Sequence, residues 1–570
     1  MSLLQIIRSP KVYDVCIVGS GAAGGAAAKV LTERGLNVVM LEAGPMLDLA
    51  KHYTEHKWTY NLDHRGYGIG GSGYNEAGDR ELDVAHIGSR IKGEPYTSAP
   101  DSPFVWTRAR ILGGRTNHWT RVALRFSEAD FQQRSLTGVG SDWPITYQEL
   151  APYYDKVESF IGVHGSREGI PSAPDGIFQP PPKPRCSDLT VKRGAAKLNI
   201  PCIPGRAAVL TEPLNGRPPC HYCGQCIRGC RMGSTFSSSQ AMIPQALATG
   251  HLTVIPNAMA REVQVGKDGK VSGVSYIDKA TRSERTVRAK AVILGASACE
   301  SARLLLNSRS ALFPNGLANS SGAVGRYLMD SSAHGVMASF PQLSKLPVHD
   351  DEGTGSVHMY IPWWKYDRKN DFAGGYHVEI YGGRRMPEPG EFRLVGREHQ
   401  GYGDGLKQKC REIYGTIVNL AARGEMIPDA RSYCELDSEV VDQWGIPVLR
   451  FHFKWGDNER RMAKDMNQEL TAIVEAARGK VLSVTGGADQ PYGYMVPSGV
   501  AHELGTVRMG LDSKTSVLNG YCQSHDVKNL FVTDGACFTT NPEKNPTLSI
   551  LALSWRAAEY LADEAQRGNL

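Results

Sequence analysis

Residues 13–18, Tyr-Asp-Val-Cys-Ile-Val, are a short apolar run rich in β-branched side chains, which predicts a buried strand. The run enters Gly19-Ser-Gly21-Ala-Ala-Gly24; residues 26–34 then read as a helix and 37–41 as a second strand ending at Glu42. Further on, 253–265, 271–277 and 291–294 read as strands, the last returning to the first sheet. From 331 to 495 aromatic and polar positions alternate, as in Val357-His-Met-Tyr360-Ile-Pro-Trp363-Trp364, which predicts a second sheet covering a ligand. Residues 529–534 predict a strand ending in Asp534-Gly535, and the last helix begins at Asn545-Pro546-Thr547 and runs through Trp555 and Tyr560. Asn545 is expected to cap that helix, with Pro546 in its first turn. The Pro-rich segment 180–185 reads as a stiff crossing piece, and no internal repeat or low-complexity tract interrupts the chain.

Composition narrows the classes. At 570 residues the chain is long enough for two domains or one large composite one, and 41% hydrophobic with 22% charged residues is ordinary for a globular protein. A net charge of +5 gives no case for nucleic-acid binding, while a weakly basic face for an acidic partner stays open. No apolar run reaches 18 residues, and no basic stretch followed by an apolar one opens the chain. Neither a membrane span nor a signal of its own is therefore expected; this points to the cytoplasm, or to export with a signal-bearing partner.

The strand–GxGxxG–helix–strand–acid unit occupies about 30 residues and predicts a Rossmann-like dinucleotide site. Gly19 makes the turn, Gly21 lets the backbone approach a pyrophosphate, and Gly24 lets helix pack on strand. The helix start at Ala22 and Ala23 offers free N–H groups to phosphate. Glu42 is placed to accept bonds from ribose hydroxyls; it disfavours a 2′-phosphate but fits NAD and FAD alike. A second glycine stretch, Gly113-Gly114-Arg-Thr116-Asn117-His118-Trp119, can wrap a bulky ring system, which favours FAD; in isolation it equals an ordinary loop.

With these motifs in order, and with 145–154, 324–329, His502-Glu-Leu-Gly-Thr-Val-Arg-Met-Gly510, Asp534-Gly535 and Asn545-Pro546, nearly the whole chain resembles the glucose–methanol–choline (GMC) oxidoreductases. The resemblance implies an α/β fold in which a Rossmann-like FAD domain carries a substrate domain built on a mostly antiparallel sheet. The expected divisions are 1–330, 331–495 and a C-terminal return, 496–570. Val263, Pro546 and Thr547 are expected among the cofactor contacts. The family's chemistry implies that His502 takes the hydroxyl proton of an alcohol while hydride leaves for flavin N5, with Asn545 on the same oxygen. A structural His beside the cofactor is the plainer alternative. The Gly113–Trp119 motif is closest to pyranose oxidases and sugar dehydrogenases, and leaves a covalent flavin bond at His118 open.

Of 12 cysteines, Cys220, Cys223, Cys226 and Cys230 stand in C-x2-C-x2-C-x3-C spacing. That is ferredoxin spacing without the usual following Pro, Arg231 standing there instead. An iron–sulfur cluster is the first expectation, zinc or free thiols the alternatives. Cys220, Cys226 and Cys230 also reproduce the C-x5-C-x3-C run of three-iron sugar dehydrogenases, so three-iron and four-iron forms both fit. A cluster favours a dehydrogenase passing electrons singly to a cytochrome or quinone, with a small subunit as in such relatives. The substrate implied is a sugar or glycoside, the nearest members resembling glucoside 3-dehydrogenases. Trp363 and Trp364 are either sugar-facing or core. The alternatives to a dehydrogenase are an oxygen-using sugar or polyol oxidase and a flavoprotein that only transfers electrons.

Overall fold

The apolar strand β1 (Val12–Val18) is buried from Val15 onward because it has a parallel neighbour on each side. The turn at Gly19 sends the chain into α1 (Ala22–Glu33), and β2 (Val38–Leu41) follows. The helix starts four residues earlier than the apolar pattern suggested, inside the glycine motif. In the computed structural model residues 11–46, 61, 87–88, 91–224, 226, 229–346, 353–367, 369–384, 402–485 and 497–569 are described.

The stretch 253–265 is two strands, β3 (Leu252–Ile255) and β4 (Ala258–Val265), and not one. Pro256 and Asn257, the latter at φ +56°, turn the chain between them. β3 extends the parallel sheet beyond β2, while β4 pairs antiparallel with β5 (Val271–Asp278). β6 (Ser283–Leu294) serves both parts, antiparallel to β5 at its start and parallel to β1 at its end.

The second sheet has six strands. Its main members are β7 (Ser332–Ser339), β8 (Met359–Ile361), β9 (Tyr376–Gly382), β10 (Ile417–Gly424) and β11 (Lys480–Thr485), with Ile203–Pro204 at one edge. All its pairings are antiparallel. Period-2 alternation separates its faces. Tyr376, Val378 and Ile380 of β9 and Val418, Leu420 and Ala422 of β10 enter an apolar core. That core is completed by helices α2 (Cys186–Lys197) and α3 (Asp457–Ala476). The opposite face carries His377, Glu379 and Tyr381, paired in register with Arg423, Ala421 and Asn419.

Trp363 and Trp364 belong to the apolar core, with ring centroids 4.9 and 5.5 Å from Tyr376. They pack in that core. The chain finally returns to the first sheet, where β12 (Leu530–Val532) lies parallel to β6 and α4 (Thr547–Gln566) packs on α1. No helix among the described residues is long and apolar enough to cross a membrane.

Candidate active site

Between the two sheets lies a cavity of about 860 Å³ that runs from the glycine motif to the polar face of β9 and β10. Its nucleotide end is a backbone cradle. Gly19 sits at φ +94°, and a Cβ there would meet Gly295 O at 2.4 Å. A Cβ on Gly24 would meet Gly19 O at 1.9 Å, so Gly24 packs the helix against the turn and does not itself line the cavity. Gly21 is open: a Cβ would meet nothing within 4 Å. Gly21 is also the N-cap of α1 and supplies no side-chain cap, leaving the first N–H groups, at Ala22 and Ala23, for a ligand. These residues fit a dinucleotide pyrophosphate. Gly24→Ala is expected to cost about 1–3 kcal/mol by overpacking and to lower both the melting temperature and the FAD-to-protein ratio. Wild-type values of both would remove the packing role.

Glu42 lines the cavity, buried, with Ser20 Oγ donating to its Oε2 and the Gly44 N–H to its Oε1 at 2.7 Å. Each oxygen keeps a lone pair for a ribose hydroxyl. Burial pushes this carboxyl up against those bonds. Ser20 Oγ accepts the Gly113 N–H at 2.8 Å, which joins the two glycine motifs. Gly114, Thr116 and His118 reach the cavity, whereas Asn117 is a brace: its amide donates to Leu112 and Gly114 carbonyls at 2.9 and 3.0 Å. Asp534 accepts from Ser297 N at 3.0 Å and Ala536 N at 2.9 Å, fixing Ser297 at φ +94° beside Gly535. Val263 is not at the cavity. It lies in the core with its N–H on Ser308, and Ala258–Arg261 of β4 take the place expected of it.

His502 and Asn545 do come together on the cavity wall with Pro546 and Thr547. The His502 N–H donates to Asp330 at 2.9 Å, and its Nδ1 lies 2.9 Å from Ser331 Oγ, which leaves Nε2 for a ligand. Burial, with Arg423 and Arg115 nearby, pushes the His502 ring down to about 3, Glu379 opposing. The imidazole is therefore neutral, the form able to take a proton. Asn545 does not cap the last helix. Pro546 occupies the cap position, and the Asn545 amide donates to Glu379 Oε1 at 3.0 Å. Tyr381, Arg423, Asn419 and Arg115 also line this end; Arg115 ties the second glycine motif to Glu503 at 2.6 Å. Sequence reading missed them individually. The alternation His377-Val-Glu379-Ile-Tyr381 was the signal that could have found the strand residues.

The cysteine run borders the same cavity through Gly224 and Gly355. Residues 225, 227 and 228 of the run lie outside the described residues. The Gly355 N–H donates to Cys226 Sγ at 3.2 Å and the Tyr222 N–H to Cys220 Sγ at 3.4 Å. A Cβ on Gly355 would meet Gly224 O at 2.7 Å. Buried Arg121 donates to the Cys226 carbonyl, and also to those of Asn117 and Trp119 in the cavity-side loop. Burial raises the Cys226 thiol, with Arg121 and Arg185 opposing. N–H···S donors and compensating cations suit a thiolate-held cluster.

Family models described as GMC oxidoreductase match residues 14–331 and 428–554. Among similar proteins, 2-methyl-1,2-propanediol dehydrogenase of Mycolicibacterium austroafricanum is 30% identical, covering 96% of this chain and 95% of that one. The fructose dehydrogenase large subunit of Gluconobacter japonicus is 28% identical, covering 97% and 98%. Pyridoxine 4-oxidase from Mesorbium loti, a solved structure, has the same fold at TM-score 0.63 and 16% identity, covering 96% of this chain and 99% of that one.

Proposed function

Because the chain belongs to the GMC oxidoreductase family, which binds FAD and acts on CH–OH groups, we propose that it is a dehydrogenase of a sugar or glycoside. The reaction we assign is oxidation of a secondary ring hydroxyl, such as that on C3, to a ketone. The observation that carries this reading is a neutral His502 beside Asn545 on one cavity with the glycine cradle. FAD, when bound in that cradle, supplies the hydride acceptor.

The chain's own residues do the rest. His502 Nε2 takes the hydroxyl proton; Ser331 holds the ring at Nδ1 and Asp330 holds its backbone. Trp119 and Tyr381 line the same cavity and supply aromatic surface for a sugar ring. With His502 held near 3, its base form persists through neutral pH. The rate of flavin reduction should accordingly show no protonation step near pH 6.5 when followed by rapid mixing across a pH series. A fall with that midpoint would mean that His502 titrates as a solvated imidazole.

We further propose that Cys220, Cys223, Cys226 and Cys230 hold an iron–sulfur cluster that takes electrons onward, singly, to a cytochrome or quinone, a small subunit assisting. Support comes from the spacing, the N–H···S donors and the cavity-side position of Gly224. Turnover of methyl α-glucopyranoside with ferricenium as acceptor, with the product identified by NMR, tests substrate and acceptor together. A 3-keto product formed without oxygen consumption is expected. Peroxide produced at the rate of substrate loss would identify an oxidase instead.

A further inference from the structure

Arg121 joins the second glycine motif to the cysteine run. Its side chain is completely buried, and its backbone sits at φ +68°, a left-handed conformation that is costly for a residue with a Cβ. That backbone is fixed by its neighbours: the Arg121 carbonyl accepts the Ala208 N–H at 2.8 Å, and Val122 bridges to Ala207. From this turn the guanidinium spans two loops. Nη2 donates to the Asn117 carbonyl at 2.8 Å, while Nη1 donates to the carbonyls of Trp119 and Cys226. Gly114, Thr116, His118 and Trp119 of the first of these loops line the cavity. A planar fork with five donors can serve three carbonyls at once, which a lysine ammonium on its flexible stem does not do. Carbonyl oxygens satisfy the N–H groups and leave the unit charge in place, and an arginine keeps that charge at any working pH.

Cys226 is held from a second loop as well. The Gly355 N–H reaches its sulfur at 3.2 Å, and a Cβ on Gly355 would meet Cys226 N at 2.8 Å, so a glycine is needed for this approach. The same loop is pinned at Thr354, whose carbonyl accepts from Arg185 and whose N–H donates to His358 Nε2 at 2.9 Å. Because Arg121 binds the carbonyl of Cys226 itself, its charge lies within one residue's covalent span of that sulfur. A fixed positive charge in a low-dielectric interior favours whichever neighbouring state carries more negative charge. We infer that Arg121 is the positioning residue for electron transfer: its charge raises the reduction potential of a cluster on the cysteine run, so that electrons move from the flavin side to the cysteines. This rests on reading the four cysteines as cluster ligands. The hydride of one alcohol brings two electrons, which cross singly. Each adds one negative charge at the cysteines until the cytochrome or quinone takes it, and Arg121 offsets that charge while it is there.

The test is a redox titration of the anaerobic holoenzyme, followed by electron paramagnetic resonance for the cluster and by visible absorption for the flavin. Wild type is set beside Arg121→Lys, Arg121→Gln and Arg121→Met, with iron and acid-labile sulfide per chain assayed first. In the two neutral variants the equilibrium constant for adding one electron to the cluster is expected to fall about 10-fold or more, a tenfold fall being about 59 mV for a one-electron couple. Arg121→Lys keeps the charge and loses the fork, so its cluster is expected to stay within about 3-fold of wild type. A clamp without an electrostatic role predicts a different ranking, because lysine cannot span three carbonyls and would fall with glutamine and methionine. That ranking overturns the inference, and so does a cluster potential in the neutral variants equal to that of the wild type. Loss of iron from both neutral variants also overturns it, since Arg121 would then hold the cluster in every redox state. A wild-type protein without iron and sulfide overturns the cluster reading itself and the inference with it.

Discussion

Exchanging His502 for alanine is expected to leave FAD bound while slowing its reduction by substrate about 10²- to 10⁴-fold, the range of a positioned general base. The two halves of this expectation have separate structural causes. FAD retention depends on the cradle at Gly19–Gly24, on Glu42 and on Ser297–Asp534, none of which leans on the His502 ring. Proton removal depends on Nε2, whose basic form is secured by burial with Arg423 and Arg115 nearby and whose direction is set by Ser331. Rapid anaerobic mixing of each holoenzyme with substrate, followed at the flavin band, reads the rate directly. A wild-type rate in His502→Ala would take the base role from this residue and leave it a structural His beside the cofactor.

Replacing Cys226 by serine is expected to strip iron and acid-labile sulfide from the protein and to stop electron delivery to ferricenium, while substrate still bleaches the flavin. Cys226 is the buried member of the run, taking the Gly355 N–H on sulfur while Arg121 holds its carbonyl. A hydroxyl is a poor ligand for soft iron–sulfide. Iron and sulfide assays on wild type and variant, set beside a zinc assay, make the comparison. Zinc in place of iron in the wild type would contradict the cluster and withdraw the single-electron route.

The nucleotide half was legible because backbone geometry writes itself into glycine spacing. Gly19 needs a positive φ, Gly24 a contact too close for a side chain, and Gly21 an open approach. His502 and Asn545 were legible as a pair through family resemblance, although they are 43 residues apart and meet only because β12 returns the chain between them. Less legible was anything decided by which face of a strand turns inward. Trp363 and Trp364 carried the aromatic signal of a sugar wall, yet the apolar side of that sheet faces α3, and they pack there. The wall is built from the polar side, by Tyr381, Asn419 and Arg423, with Glu379 behind it holding the Asn545 amide; the alternation was visible but its direction was not. Val263 failed for a related reason: the Pro256–Asn257 turn displaces the cavity contact towards the start of β4. The capping expectation for Asn545 failed because the helix begins one residue later, at Thr547, with Pro546 in the cap position, while the Asn545 amide donates to Glu379.

The measurement that bears most directly on flavin-dependent alcohol oxidation at this site is the visible spectrum of the purified protein without oxygen, before and after adding methyl α-glucopyranoside. Flavin bands that bleach on addition of the sugar, over a broad iron–sulfur background that bleaches with them, are the predicted result. Flavin bands unchanged by this glycoside and by every other alcohol offered would contradict it.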